Sequence, residues 1–177
     1  MPVRARPTGA PVCSMTRDLM SKRMGYTELD SPNGWSLVVP EKYEIGKNLE
    51  VTVKHPSADK RYRGILIWAS DSNGNPVGKF KLVSHHKHPL DTCENALTHK
   101  SPRPKKPETF KLRIDDTSVK GTVVVEAFVV EDCGEDLCVN YCKFLKINNQ
   151  LKQKQNKTKT KTNNPQTYLA LKLSFIN

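Results

Sequence analysis

The chain has 177 residues, a length that suits one domain with an appendage and suffices to bury a core of its own. Hydrophobic residues make up 36% and aromatics 7%, and 29 Lys and Arg against 18 Asp and Glu leave a net charge of +11. No stretch approaches the ~20 apolar residues of a membrane-spanning helix. There is no glycine-rich phosphate loop, G-x-S-x-G elbow or H-E-x-x-H motif, so nothing rises to an active site and the reading is non-enzymatic.

The first six residues, MPVRAR, carry basic groups but no apolar run behind them. That is not a secretory leader as it stands. Residues 1–34 are rich in turn formers (PTGAP, DSPNG) and lack periodicity, which predicts an irregular N-terminal arm. From Trp35 the pattern changes to short runs separated by turns: WSLVV (35–39), LEVTV (49–53), YRGILIWA (62–69), VGKFKLV (77–83), TFKLRI (109–114) and TVVVEAFVV (122–130). In LEVTV and TFKLRI every second residue is apolar, which predicts strands with one buried face. GILIWA is continuously apolar and reads as a central strand covered on both sides. SDSNGNP (70–76) places Asn-Gly between two apolar runs, a hairpin signal. Short strands with regular turns predict an all-β fold, an antiparallel β-sandwich, with a barrel as the alternative.

After about Phe144 the composition turns to Lys, Asn, Gln and Thr. Such a segment cannot bury enough apolar surface to offset its ordering entropy. The domain is therefore placed at 1–145. Residues 146–177 read as a disordered low-complexity tail, with a bias that translated non-coding sequence shares. Eight lysines follow Cys142 with no acid among them, and without them the net charge falls to +3. Nucleic-acid binding would rest mainly on this suspect tail and is not the favoured reading. Asn156-Lys157-Thr158 within it is a glycosylation acceptor pattern.

The five cysteines are Cys13, Cys93, Cys133, Cys138 and Cys142. Structural zinc prefers two-residue spacings and a second ligand pair, which CGEDLCVNYC does not offer, so disulfides are the preferred reading and no metal is assigned. An odd count leaves one thiol over. HHKH (85–88) reads as a solvated loop, and His99 as a hydrogen-bonded structural side chain. Asp115–Asp116 and Glu131–Asp132 read as turn formers. Two basic clusters remain, KRYR (60–63) and HKSPRPKK (99–106). Their single aromatic, Tyr62, is a poor stacking platform for nucleic acid. Clustered Lys and Arg would suffice for a sulfated glycan or an anionic microbial surface. The candidate contacts are Arg61, Arg63, Lys100, Arg103, Lys105 and Lys106.

Several segments together resemble the reeler (reelin N-terminal) domain family. The opening matches at Pro7, Gly9, Ala10, Pro11, Cys13 and Met15; Tyr43, Gly46 and Val51 follow, then YRGILIWA and Val77–Phe80. Cys93, Asn95, Ala96, Thr98, His99 and Ser101 match the next motif, and Gly121, Val123, Ala127 and Val129 the last. Leu112 stands where members often carry Trp. The resemblance implies an immunoglobulin-like sandwich, secretion with the leader lying upstream of Met1, and a disulfide from Cys13 to Cys93. A second bond is placed between Cys133 and Cys142. By resemblance to the small single-domain members, the expected role is innate defence through contact with microbial surfaces or sulfated glycans. The alternative is an extracellular matrix or adhesion module that binds protein partners. No cofactor is implied, and a redox role belongs to domains this sequence does not contain.

Overall fold

The computed structural model describes residues 8–14, 16, 34–131 and 144–154. In chain order its strands are β1 (Ser36–Val38), β2 (Lys42–Tyr43), β3 (Asn48–Lys54), β4 (Tyr62–Asp71), β5 (Lys79–Phe80), β6 (His86–Lys87), β7 (Ala96–His99), β8 (Glu108–Arg113), β9 (Thr122–Glu131) and β10 (Phe144–Gln153).

Period-two alternation builds the smaller sheet. Leu49, Val51 and Val53 of β3 are buried while Glu50 and Lys54 face water, and Phe110 and Leu112 of β8 alternate with Lys111 and Arg113 in the same way. The register sets Val51 against Phe110 and Leu49 against Leu112. With β1 and β5 at the edges the order is β1-β3-β8-β5. The larger sheet runs β2-β10-β9-β4-β7-β6 and is built on the long β4–β9 ladder, Ile65 opposite Val129 and Ile67 opposite Ala127. All ladders are antiparallel except β10 with β2. Ile65, Ile67, Val125, Ala127 and Val129 meet Trp35, Val51, Val53, Phe110 and Leu112 in one core, giving the immunoglobulin-like sandwich.

β4 is apolar on both faces because both are covered. Leu66 and Trp68 point away from this core and are still buried, with Trp68 stacked on Phe128 at 5.7 Å. Leu112, in the position noted above, is fully buried.

Four expectations change. Asn73-Gly74 does form a turn, closed by Asp71 Oδ1 accepting from the amides of Asn73 and Asn75 at 2.8 Å. It closes only a short hairpin, the Asp71 amide donating to the Asn75 carbonyl at 2.9 Å and the Val77 amide to the Ala69 carbonyl at 3.1 Å on either side of the Ser70–Pro76 bridge, and β5 then joins β8 in the other sheet. Proline has no N–H with which to extend the ladder, and Gly78, at φ +71°, turns the chain across. HHKH is not wholly a solvated loop, since His86 and Lys87 form β6 and His86 is fully buried. Ala96–His99, where no strand was predicted, is β7, buried at every position. Finally, the sandwich does not end at 145. β10 continues to Gln153, pairs with β9 from Phe144–Val130 to Lys152–Thr122, and buries Leu151. The tail beyond 154, with Asn156, lies outside the described residues, as do Cys133, Cys138 and Cys142.

Candidate anion-binding cleft

The ground beneath the basic loop is a polar seam between β7 and β4. Asn95 Nδ2 donates to the carbonyl of Ala69 at 3.0 Å, and Thr98 Oγ1 donates to the carbonyl of Ile65 at 2.8 Å. His99 Nδ1 sits against the Ile65 backbone, 3.1 Å from its amide and 3.2 Å from its carbonyl oxygen. Gly64 is the residue that lets His99 in, because a Cβ there would lie 3.1 Å from His99 Cε1 and from Val130 Cγ2.

The N-terminal arm is fastened to the same seam. Cys13 is joined to Cys93 with the Cα atoms 5.3 Å apart, closing a separation of 80 residues. The Ala10 amide donates to Thr98 Oγ1 at 2.8 Å. Gly9, at φ +87°, crosses so close that a Cβ would stand 2.4 Å from the carbonyl oxygen of His99. Gly9, Ala10 and Cys13 of the opening thus form one structural joint with Cys93, Thr98 and His99.

From this joint the chain leaves as the loop 100–107. Lys105 ties it down: its amide and carbonyl pair with Tyr62, and its ammonium donates to the carbonyls of Arg63 at 3.1 Å, Ser101 at 2.6 Å and Arg103 at 2.8 Å. All three ammonium protons are thereby used. Burial, and then the charge of Arg63, draw its pKa down to about 8. The loop walls a cleft of about 600 Å³ lined by His85, Ser101, Arg103, Lys105, Lys106 and Glu108.

Glu108 supplies the acid of this cleft. The Tyr62 hydroxyl donates to its Oε1, and His86 Nε2 lies 3.3 Å from the same oxygen, out of line for a hydrogen bond. His86 itself packs edge-on against Phe110 at 5.1 Å. Burial pushes the Glu108 carboxyl up to about 7. Burial, and after it the charge of Lys105, hold His86 down at about 3. The imidazole is therefore neutral near pH 7, and the 3.3 Å approach is not an ion pair.

The candidate contacts divide. Arg103 and Lys106 line the cleft, are exposed, and make no ion pair or side-chain hydrogen bond among the described residues. Lys105 organises the loop. Arg63 stands beside Lys105, and Lys100 flanks the rim, its amide on the His85 carbonyl at 3.0 Å. Arg61 does not line the cleft; it folds back on the carbonyls of Ala58 and Lys60 at 2.6 and 2.9 Å. Lys60 in the same cluster is paired with the buried Glu131 at 2.6 Å. KRYR is thus largely internal structure. A second groove of about 500 Å³ beside β1 and β3 has its charge partly matched, Glu44 pairing with Lys47 at 2.5 Å and Lys154 at 2.7 Å. His85, His86 and Glu108 were not foreseen as site residues. The acid directly after KKP, just before an alternating strand, was the available signal. Among the described residues no cluster of metal-ligating side chains exists, and no helix is long and apolar enough to cross a membrane.

No curated protein sequence matches the chain. Solved structures do. The human F-spondin reeler domain is 18% identical, with 72% of this chain and 96% of that one covered and a TM-score of 0.54. A structure of the Reelin-N domain of F-spondin is 17% identical, with 78% and 97% covered and a TM-score of 0.57. At these identities the likeness establishes the fold. A family model described as Reeler domain matches residues 12–134, which span both halves of the Cys13–Cys93 joint and most of the described strands. The chain belongs to the reeler domain family.

Proposed function

We propose that this chain is an extracellular, non-enzymatic binding module of the innate-defence type, contacting sulfated glycans or anionic microbial surfaces through the loop 100–107. The observation that carries the reading is the pairing state of the cations. Lys60, Arg61 and Lys105 are held by internal acceptors, whereas Arg103 and Lys106 project into a cleft without partners among the described residues. Like charges gathered on the walls of a cleft focus their field on an incoming anion more than the same charges spread over an open surface. The disulfide supports an oxidising compartment.

The test is retention of the full chain on immobilised heparin and on lipopolysaccharide, with Arg103→Glu/Lys106→Glu beside Arg61→Glu. The double reversal is expected to weaken binding at least about tenfold, with a steep salt dependence, and Arg61→Glu to matter little. Unchanged, salt-insensitive binding overturns the proposal. A protein-binding matrix module would instead draw on exposed apolar side chains such as Leu82 and Leu90, which are 53% and 49% exposed. Loss of protein-partner capture in Leu82→Ser, with glycan retention absent, would favour that alternative.

A further inference from the structure

Cations that bind an anion rarely stand beside an acid, yet Glu108 lies in the same cleft as Arg103 and Lys106. Among the described residues it forms no ion pair with either of them. Its partners are the Tyr62 hydroxyl and the neighbouring His86, a fully buried imidazole whose two nitrogens lack hydrogen-bond partners. An ionised Glu108 would repel an incoming anion. A protonated one would remove that repulsion and could donate its own O–H.

We propose that this cleft is a proton-coupled anion subsite: a sulfate ester group docks against Arg103 and Lys106 while the Glu108 carboxylate takes up one proton from solvent. This rests on the glycan-binding reading above and adds its regulation. The proton adds to a carboxylate oxygen, no covalent bond to the ligand forms, and the free charge of the cleft rises by one as the anion enters. Burial already brings the carboxyl to about 7, so a small further push from a docked anion completes its protonation near neutral pH.

Glu108 is faced by groups from several elements. Tyr62 comes from β4, His86 from β6 with His85 before it, and Arg103, Lys105 and Lys106 from the preceding loop. On β3, Val53 stands opposite in register, with Lys54 next to it. Burial and the charge of Arg63 draw Lys105 down to about 8, and Tyr62 donates to Glu108. His85 and Lys105 also line the cleft and can change charge, so a test has to separate both from Glu108.

The probe is a size-defined heparin oligosaccharide, whose sulfates do not titrate near neutrality. Its affinity for the full chain is measured at about pH 5.5 and about pH 8 at fixed ionic strength, a range that spans protonation of a carboxyl near 7. Wild type is expected to bind more tightly at the lower pH, about tenfold for each unit by which the ligand raises the Glu108 pKa. Glu108→Gln is expected to lose most of the difference between the two pH values, and His85→Gln and Lys105→Arg, whose guanidinium stays charged over the range, to keep most of it. In parallel, the ¹³C shift of the Glu108 carboxyl is followed through a pH titration, and its midpoint is expected to move upward when the oligosaccharide is saturating. This second measurement stands even if Glu108→Gln folds poorly. A Glu108→Gln protein that keeps the wild-type pH dependence, or a carboxyl midpoint that ligand does not move, overturns the coupling. Tight but pH-independent binding by wild type overturns the coupling and leaves the glycan reading intact. No binding at either pH overturns both.

Discussion

The Ala10 amide donates to Thr98 Oγ1 at 2.8 Å, and that same hydroxyl donates onward to the carbonyl of Ile65 at 2.8 Å. One side chain thus links the N-terminal arm to β7 and β4. Thr98→Val keeps the shape and removes both bonds, leaving the Ile65 carbonyl and the Ala10 amide short of a partner. A loss of about 1–3 kcal/mol is expected in urea unfolding, with Thr98→Ser losing much less. Equal losses for Val and Ser would show that the hydroxyl does not matter.

The disulfide acts on the same arm through the unfolded chain. Cys13 and Cys93 are 80 positions apart, and a loop of that size removes about 4 kcal/mol of unfolded-state entropy in the chain-entropy model. The Cys13→Ser/Cys93→Ser protein is expected to unfold at a much lower denaturant concentration. Its hydrogen-exchange protection should fall first at Ala10 and along β7, the parts next to the joint. A uniform loss across both sheets would contradict this local picture.

Two glycines at the joint are expected to differ in their tolerance of a methyl group. At Gly9 the new Cβ would meet a backbone oxygen at 2.4 Å, in a left-handed conformation that L-residues avoid. At Gly64 it would meet side-chain atoms of His99 and Val130 at 3.1 Å, which can shift by a few tenths of an ångström. Gly9→Ala should therefore cost upward of about 2 kcal/mol and loosen the arm, and Gly64→Ala less. Thermal melts of the two single variants give the order directly.

The burial of Glu108 and of His86 predicts an unusual pH profile of stability. Glu108 is raised from 4.5 to about 7, so the native state binds its proton more tightly, and stability is lost as pH rises through that window. His86 is lowered from 6.5 to about 3, so the native state binds its proton less tightly, and stability is lost as pH falls through that window. Between about 4.5 and 6.5 the two slopes oppose each other and nearly cancel. Glu108→Gln leaves the His86 slope alone, and stability should then fall on acidification by up to about 1.4 kcal/mol per pH unit. His86→Leu should do the reverse, with a profile that declines only toward alkaline pH. Urea midpoints read across the range would refute the two opposed shifts if both variants kept the wild-type shape.

Alternation made β3 and β8 legible, because each has one wet face and one dry face. β4 was legible for the opposite reason, being apolar throughout. β7 was not, since Thr98 and His99 look like loop residues until their polar atoms are seen to bond the β4 backbone. The cleft was half legible. Local charge clustering pointed to Arg103 and Lys106, but it could not separate them from Arg61 and Lys105, whose charges are taken up by carbonyls brought in by the fold. Glu108 and His86 depend on β6 and β8 packing together from 22 residues apart, and no local pattern records that.

The segment after Phe144 is the sharpest case of composition misleading. The Lys, Asn and Gln of this segment hid a strand that pairs along β9 from Thr122 to Val130. At its far end the amides of Lys152, Gln153 and Lys154 donate to the carbonyls of Glu41, Gly121 and Tyr43 at 2.9, 3.1 and 2.9 Å, and Leu151 is fully buried. A chain ended after Leu145 would leave β9 with an unpaired edge, open a hole at Leu151, and free β2 from its parallel neighbour. It should be strongly destabilised and prone to aggregate through that edge. A chain ended after Lys154 keeps all of these contacts and should melt well above the 1–145 protein. Leu151→Ala in the full chain should cost about 2–5 kcal/mol, the range for a buried leucine. Comparison of the three melting temperatures tests the boundary: a 1–145 protein as stable as 1–154 would remove β10 from the sandwich.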